Sequence, residues 1–172
     1  MTLTSGALGP TARPVPVLDL LDLPAACPPD TPWMGLDLGE KTIGVAVSDA
    51  TRMIASPLEL IRKSKFTHEA EHLFRLMDHR KVSALVIGLP VNMDGTEGPR
   101  AQSCRAFARN LERLRPVNVA FWDERLSTVA AERALLEADT TRKRRAEVID
   151  HVAASYILQG ALDRVRDQAT WV

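Results

Sequence analysis

Acidic residues stand at three places in this sequence where a fold could bring them together. Asp37 lies near the end of a short apolar segment, in the run GLDLG, and Asp123 and Glu124 directly follow another apolar segment. Asp150 lies on the edge of the apolar stripe of a long helical segment. A carboxylate among apolar residues is costly to bury unless something neutralises it, and the glycines beside Asp37 let a phosphate or a metal ion come close.

Each acid also has a plainer interpretation. Asp37 could cap the turn that follows it, and Asp150 could be a surface acid held in a salt bridge. Asp123 and Glu124 could form a charged turn, and strand alternation decides which of the two points inward. We predict that Glu124 is the inward carboxylate, with Asp123 as the alternative.

Taken together, the three acids predict a metal site. Carboxylates a few ångströms apart repel one another unless divalent cations lie between them. Ligands that offer only oxygen suit Mg²⁺ or Mn²⁺ rather than zinc. Two such ions, about 3.5–4 Å apart, stabilise the attacking and leaving oxygens of a phosphoryl displacement. This pattern is typical of nucleases and needs no serine or cysteine nucleophile.

The elements that must position these acids alternate along the chain. The predicted strands are Trp33–Asp37, Thr42–Ser48, Pro57–Ile61, Ala84–Gly88 and Val117–Trp122. The predicted helices are His68–Arg80, Arg100–Arg113, Ser127–Glu137 and Arg145–Arg166. This order predicts an α/β fold with a mixed five-stranded sheet and helices on both faces, in which an antiparallel meander precedes strands added by crossover helices. Ligands of such sheets bind at the carboxyl ends of strands.

The composition changes near residue 33. Residues 1–32 hold seven of the eleven prolines, which disfavour long helices and central strands. We therefore predict a proline-rich tail over residues 1–32, extended or mobile, and a single domain over residues 33–172. The short apolar patch Val17–Leu23 could dock on that domain.

Charge and length exclude several classes of protein. The 172 residues carry 22 basic and 22 acidic side chains, so a polybasic protein is excluded while a local basic patch is not. Two cysteines cannot form a disulfide framework or a four-cysteine zinc site. The sequence has no apolar run of 18 residues and no secretory signal pattern, which predicts no membrane association and a cytoplasmic location.

Basic and amide side chains are the candidates for holding nucleic acid. The dense run Arg142, Lys143, Arg144 and Arg145, predicted as a loop, directly precedes the helix that carries Asp150. Such residues would contact phosphates and provide affinity without sequence choice. The further candidates are Lys41, Asn92, Arg100 and Arg125. Asn92 has a plainer interpretation, because it lies in a glycine-bearing loop and could simply form a turn.

Two other motifs point to rival functions. His68, Glu69 and His72 match the HExxH pattern of zinc proteases, but the helix continues without the glycine that would turn the chain back, so we do not predict zinc chemistry. The Asp-x-Gly run at Asp37 also occurs in the sugar kinase, actin and chaperone ATPase group. Those proteins need two such domains to enclose a nucleotide, and 172 residues provide one.

The sequence resembles the YqgF (RuvX) family of the ribonuclease H-like superfamily. The matching stretches are Gly35–Asp49, Val86–Gln102, Trp122–Glu132 and Val148–Leu162. The resemblance implies a ribonuclease H-like fold in which Asp37, Glu124 and Asp150 are the metal-binding catalytic acids. One departure is that Thr42 follows Lys41, where the family usually has Lys-Arg, and the tail lies outside the family pattern.

The resemblance also implies a function. Proteins of this family are described as nucleases that process pre-16S rRNA, and also as Holliday junction resolvase-like nucleases. The expected activity is therefore metal-dependent cleavage of structured RNA at the 5′ end of pre-16S rRNA. The alternatives are a DNA endonuclease that cuts branched DNA, which would act as a homodimer because it makes two symmetric cuts, and a non-catalytic rRNA-binding assembly factor.

Overall fold

The computed structural model describes residues 17–126 and 142–170, with side chains described over 17–126 and 152–168. The strands are β1 (Trp33–Leu38), β2 (Thr42–Ser48), β3 (Ala55–Arg62), β4 (Ala84–Leu89) and β5 (Asn118–Asp123). The helices are α1 (Leu23–Ala26), α2 (Phe66–Arg80), α3 (Pro99–Leu114) and α4 (Arg142–Thr170), with 3₁₀ turns at Leu20–Asp22 and Glu124–Leu126. The predicted helix Ser127–Glu137 lies outside the described residues.

The five strands form one mixed sheet in the order β3-β2-β1-β4-β5. Strands β1, β2 and β3 are antiparallel neighbours, whereas β4 and β5 join β1 as parallel strands. This is the predicted meander followed by crossover connections, and every predicted strand is found with its ends within two residues of the observed ones. The predicted α/β fold with a mixed five-stranded sheet is confirmed.

Strand alternation divides the core into two layers. On one face of the sheet, Met34 and Leu36 of β1 pack with α2 and α3. On the other face, which we call the α4 face, Trp33 packs with Ile157 and Leu158 of α4. Helices therefore cover both faces, as predicted.

Helix α4 lies unusually close to β1. A Cβ atom at Gly35 would come within 2.7 Å of the Leu158 Cβ atom and 2.8 Å of the Ala154 carbonyl oxygen. Because the second of these atoms belongs to the backbone, only glycine at position 35 lets the helix pack at this distance. Gly35 thus fixes the height of α4 above the sheet two residues before Asp37.

Residues 17–32 pack against the body of the domain rather than extending from it. The Leu18 amide donates to the Val119 carbonyl at 2.9 Å, and Leu20 and Leu23 are buried among the residues of the α4 face. The apolar patch Val17–Leu23 therefore docks on the domain, because burying its leucines outweighs the loss of chain freedom. The boundary at residue 33 itself stays a prediction.

Helix α4 begins at Arg142, three residues earlier than predicted. The basic run Arg142–Arg145 is therefore part of the helix, and the prediction of a loop there is wrong. Arginine and lysine are good helix formers, and no glycine or proline interrupts α4 before Gly160. Among the described residues, none of the helices combines the length and apolar character needed to cross a membrane.

Candidate active site

Asp37 is a buried carboxylate near the carboxyl end of the central strand. It is 2% exposed. On β2 it pairs with Gly44, and on β4 the next residue in register after the Leu36–Ile87 pair is Gly88. Asp37 shares its side of β1 with Trp33 and Gly35, so it belongs to the α4 face.

The side chain of Glu124 lies on the same face of the sheet, close to Gly88 of β4. Glu124 is the first residue of the 3₁₀ turn that follows β5. Its Oε1 atom lies 2.7 Å from the position that a Cβ atom on Gly88 would occupy, and the Ile157 Cδ1 atom lies 2.4 Å from that position. Because Gly88 has no side chain, the Glu124 carboxylate can occupy the space above it. Gly88 lies on β4, the strand next to β1, which carries Asp37.

Asp123 serves a different purpose. Its carboxylate accepts hydrogen bonds from the Arg125 Nη2 atom at 2.7 Å and from the Arg125 backbone amide at 2.9 Å. The hydrogen bond from the Arg125 side chain holds the pKa of Asp123 below its usual range. Asp123 pairs with Leu89, which packs on the face opposite α4. Of the two acids that the sequence left open, Glu124 is the one on the α4 face, close to Gly88, which follows the Leu36–Ile87 pair in register. Its role as an inward ligand stays a prediction.

Asp150 belongs to the helix that covers this face. It lies in α4 one turn before Ala154, whose carbonyl oxygen approaches Gly35. Its side chain lies outside the described residues, as do those of Arg142, Lys143, Arg144 and Arg145. Within the described side chains, no group of three histidine, cysteine, aspartate or glutamate residues is placed to hold a metal ion.

The loop after β4 is held by its own hydrogen bonds. The Asn92 amide donates to the Thr96 carbonyl at 2.9 Å, and the Asn92 Nδ2 atom donates to the Thr96 hydroxyl at 2.9 Å. Asp94 accepts from the same hydroxyl at 2.6 Å, and Gly95 adopts a φ of 91° that favours glycine. The turn-forming interpretation of Asn92 thus accounts for its contacts in the described chain.

The remaining basic candidates differ in their solvent exposure and in their contacts. Lys41, in the turn between β1 and β2, and Arg100, in the first turn of α3, are exposed to solvent. Arg125 is held by Asp123, and its Nη1 atom lies 3.4 Å from the Asn92 carbonyl oxygen. Arg125 thus ties the end of β5 to the loop after β4.

The pKa of the Cys104 thiol, in α3, depends on burial and on the charges around it. Burial raises the pKa to about 11, and the negative charges of Glu124 and Asp37 add to that rise. The positive charges of Arg100 and Lys63 oppose it. The thiol therefore stays protonated at neutral pH and is not a nucleophile.

The HExxH motif is explained by the packing of α2. Glu69 is buried and accepts a hydrogen bond from the Ser64 amide at 2.8 Å, so it caps the start of the helix. His72 contacts the carboxylate of Glu59 on β3. These contacts give both residues structural roles.

Two residues near the site escaped sequence reasoning. Gly88 is predicted only as the end of a strand, although a glycine closing a buried strand is a known signal of close approach. Lys63 follows β3 in a basic pair with Arg62, a pattern that fits any solvent-exposed strand end. Neither signal by itself indicates which atoms come near.

Comparison with known proteins extends over most of the chain. Residues 31–164 match the family model described as RuvX, Holliday junction resolvase. A relative from Phenylobacterium zucineum (strain HLK1), named "Putative pre-16S rRNA nuclease", is 69% identical over 153 residues, covering 88% of this chain and 98% of its own. A relative of the same name from Paracoccus denitrificans (strain Pd 1222) is 72% identical over 132 residues, covering 77% and 84%.

One solved structure with a similar arrangement is T. thermophilus RuvC in complex with Holliday junction substrate. The similarity covers 79% of this chain and 96% of that one, with a TM-score of 0.49 and 11% sequence identity. The family match begins two residues before Trp33, so residues 1–30 lie outside it.

Proposed function

Because the chain belongs to the RuvX family, it is a nuclease, and we propose that it cleaves phosphodiester bonds near the 5′ end of pre-16S rRNA with the help of divalent metal ions. The rRNA substrate is inferred from relatives named "Putative pre-16S rRNA nuclease". This chain matches nearly the whole length of those relatives. Ribosome maturation would place the protein in the bacterial cytoplasm.

The approach of Glu124 to Gly88 supports this proposal most directly. Two carboxylates, one from β1 and one from the turn after β5, occupy neighbouring positions at the carboxyl ends of parallel strands. Such ends are where α/β sheets bind ligands. Bringing a second carboxylate beside the buried Asp37 is costly unless a cation compensates the repulsion.

The donor set fits magnesium or manganese. Asp37, Glu124 and Asp150 would hold the ions, and carboxylate oxygens are the ligands these cations prefer. When bound, two ions supply Lewis-acid stabilisation of the phosphate undergoing substitution. The protein provides the positions of the ligands. Asp37 is fixed by the central strand, Glu124 by the space at Gly88, and Asp150 would approach from α4.

The basic residues would hold the substrate in place. Lys41 and Arg100 are exposed on the same end of the sheet as Asp37, and Arg142–Arg145 form the first turn of α4. Their positive charges would neutralise backbone phosphates and make binding sensitive to salt. Cations near the scissile phosphate would also stabilise the charge that develops there.

A DNA junction endonuclease is the second candidate, because the matching family model is described as Holliday junction resolvase. The acids act on a phosphodiester and do not distinguish ribose from deoxyribose. Paired cuts in a junction would need two copies related by symmetry. A non-catalytic rRNA-binding factor is the third candidate.

The test is a cleavage assay with Mg²⁺ or Mn²⁺ and three substrates. These are a fragment spanning the 5′ end of pre-16S rRNA, a four-way DNA junction and an unstructured single strand. Wild type is compared with Asp37→Asn, which removes one ligand charge and keeps the shape. The matched control is Asp167→Asn, which neutralises an exposed acid of α4.

We expect cleavage of the rRNA fragment by wild type and by Asp167→Asn, and at least a 100-fold lower rate for Asp37→Asn. Circular dichroism and RNA binding should be the same for all three proteins. Paired nicks in the junction would favour the DNA endonuclease. Cleavage by Asp37→Asn at the wild-type rate would refute the assignment of the acids, and binding without any cleavage would favour the assembly factor.

A further inference from the structure

A small cavity opens at the end of the sheet where the candidate active site lies, between the β1–β2 turn, the residue after β3 and the start of α3. Its volume is about 170 Å³. Leu38 and Phe107 form an apolar part of the wall, and Lys63, Arg100 and Ser103 line it with polar groups. One water molecule occupies roughly 30 Å³ of liquid, so the cavity has room for a group the size of a phosphate.

Two cations from separate elements face this cavity. Lys63 follows β3, Arg100 belongs to the first turn of α3, and both are exposed. Over the described side chains, neither forms an ion pair with an acidic residue. Glu40 is the acid that lines the cavity with them, so the positive charge of the pair is compensated only in part.

The cavity lies at the same end of the sheet as the acids, on the face covered by α2 and α3. The β1–β2 turn that forms one wall begins two residues after Asp37. Cys104, which lines the cavity, feels the charges of Asp37 and Glu124 as well as those of the two cations. Because the two cations share an end of the sheet with Asp37 and Glu124 but lie on the opposite face, they suit a phosphate other than the one being cleaved.

We propose that Lys63, Arg100 and the Ser103 hydroxyl form a subsite for a phosphate of the nucleic-acid strand that flanks the scissile one. Both cations donate charge-assisted hydrogen bonds to phosphate oxygens, and Ser103 donates a third. The subsite holds the strand in register without reading its sequence. This inference rests on the proposed nuclease function and extends it to a second contact point.

The experiment measures binding separately from cleavage. In the Asp37→Asn background, the double variant Lys63→Gln, Arg100→Gln is titrated with a fluorescent RNA spanning the 5′ end of pre-16S rRNA, over a series of salt concentrations. The matched control is Arg80→Gln in the same background. Arg80 is an exposed cation at the end of α2, which leads into the amino end of β4, opposite the site.

We expect the double variant to bind about tenfold or more weakly, and its slope of log affinity against log salt to be smaller by about 1–2. Arg80→Gln should change neither quantity. Glu40→Gln should instead strengthen binding, because it removes the negative charge from the cavity. A merely damaged fold would not produce that opposite change.

The inference fails if the double variant binds like its parent, or if Arg80→Gln weakens binding equally. It also fails if no protein binds the RNA. The proposed nuclease function is judged by the separate wild-type cleavage assay. Normal cleavage together with unchanged binding of the double variant would therefore overturn the subsite and leave the function intact.

Discussion

The substitution Gly88→Ala tests how closely Glu124 is confined. The added methyl group would lie 2.7 Å from the Glu124 Oε1 atom and 2.4 Å from the Ile157 Cδ1 atom. The carboxylate must retreat by about 0.7 Å to reach an ordinary separation of 3.4 Å. A misplacement of about 1 Å in an active site costs on the order of 100-fold in rate. We expect a loss of cleavage of that size.

The same substitution also affects stability. Overpacking a core by one methyl group costs about 1–3 kcal/mol, and alanine recovers about 0.4–1 kcal/mol by restricting the unfolded chain. We expect the free energy of unfolding to fall by about 1–2 kcal/mol, which lowers Tm by about 2–8 °C in a domain of this size. Thermal unfolding and single-turnover cleavage are measured on the same protein preparations.

A second substitution separates the two effects. Ile157→Val removes the Cδ1 atom, which makes the closer of the two contacts, but it leaves Glu124 where it is. Combined with Gly88→Ala, it should recover part of the lost stability and none of the lost cleavage. Ile157→Val alone should cost about 0.5–1.5 kcal/mol and keep the wild-type rate.

Two outcomes would refute this reasoning. If Gly88→Ala cleaves at the wild-type rate, Glu124 is either not confined by Gly88 or not required. If Ile157→Val restores cleavage in the Gly88→Ala background, the loss came from the displaced helix and not from the carboxylate.

Two further predictions concern stability. The pKa of Asp49 is lowered to about 2, chiefly by hydrogen bonds from the Thr51 hydroxyl and the Ile54 amide. Its contribution to the stability of the folded protein is therefore present above about pH 4 and lost as the pH falls towards 2. The urea midpoints of wild type and Asp49→Asn should converge over that interval, and a constant difference would contradict this prediction. Glu69→Ala should lower the free energy of unfolding by about 0.5–2 kcal/mol, because the Ser64 amide loses its acceptor. It should leave the cleavage rate unchanged, and a lost activity in a folded protein would argue against a purely structural Glu69.

Local patterns were enough to predict the sheet. The alternation in Thr42–Ser48 and the short turn at Gly39 define a hairpin, and the strand bounds of β2 are those predicted. The Asp37 position follows from the same reasoning, because an acid near the end of a buried strand must face one side of the sheet. These features depend on residues close together in the chain.

Features that depend on distant residues could not be predicted in the same way. The placement of Glu124 on the α4 face depends on Gly88 and Ile157, which come from other parts of the chain. The docking of Leu20 and Leu23 depends on a surface formed by β5 and α4. Sequence spacing names the candidates in each case, but only tertiary packing selects among them.

The contact between Leu18 and β5 also bears on self-association. β5 is the border strand of the sheet, and such a border offers free amides and carbonyls to any other extended chain. Here the Leu18 amide already occupies the Val119 carbonyl, and Leu20 and Leu23 fill the adjoining apolar surface. Two copies therefore cannot join their sheets through this part of β5 unless the segment around Leu18 first leaves it.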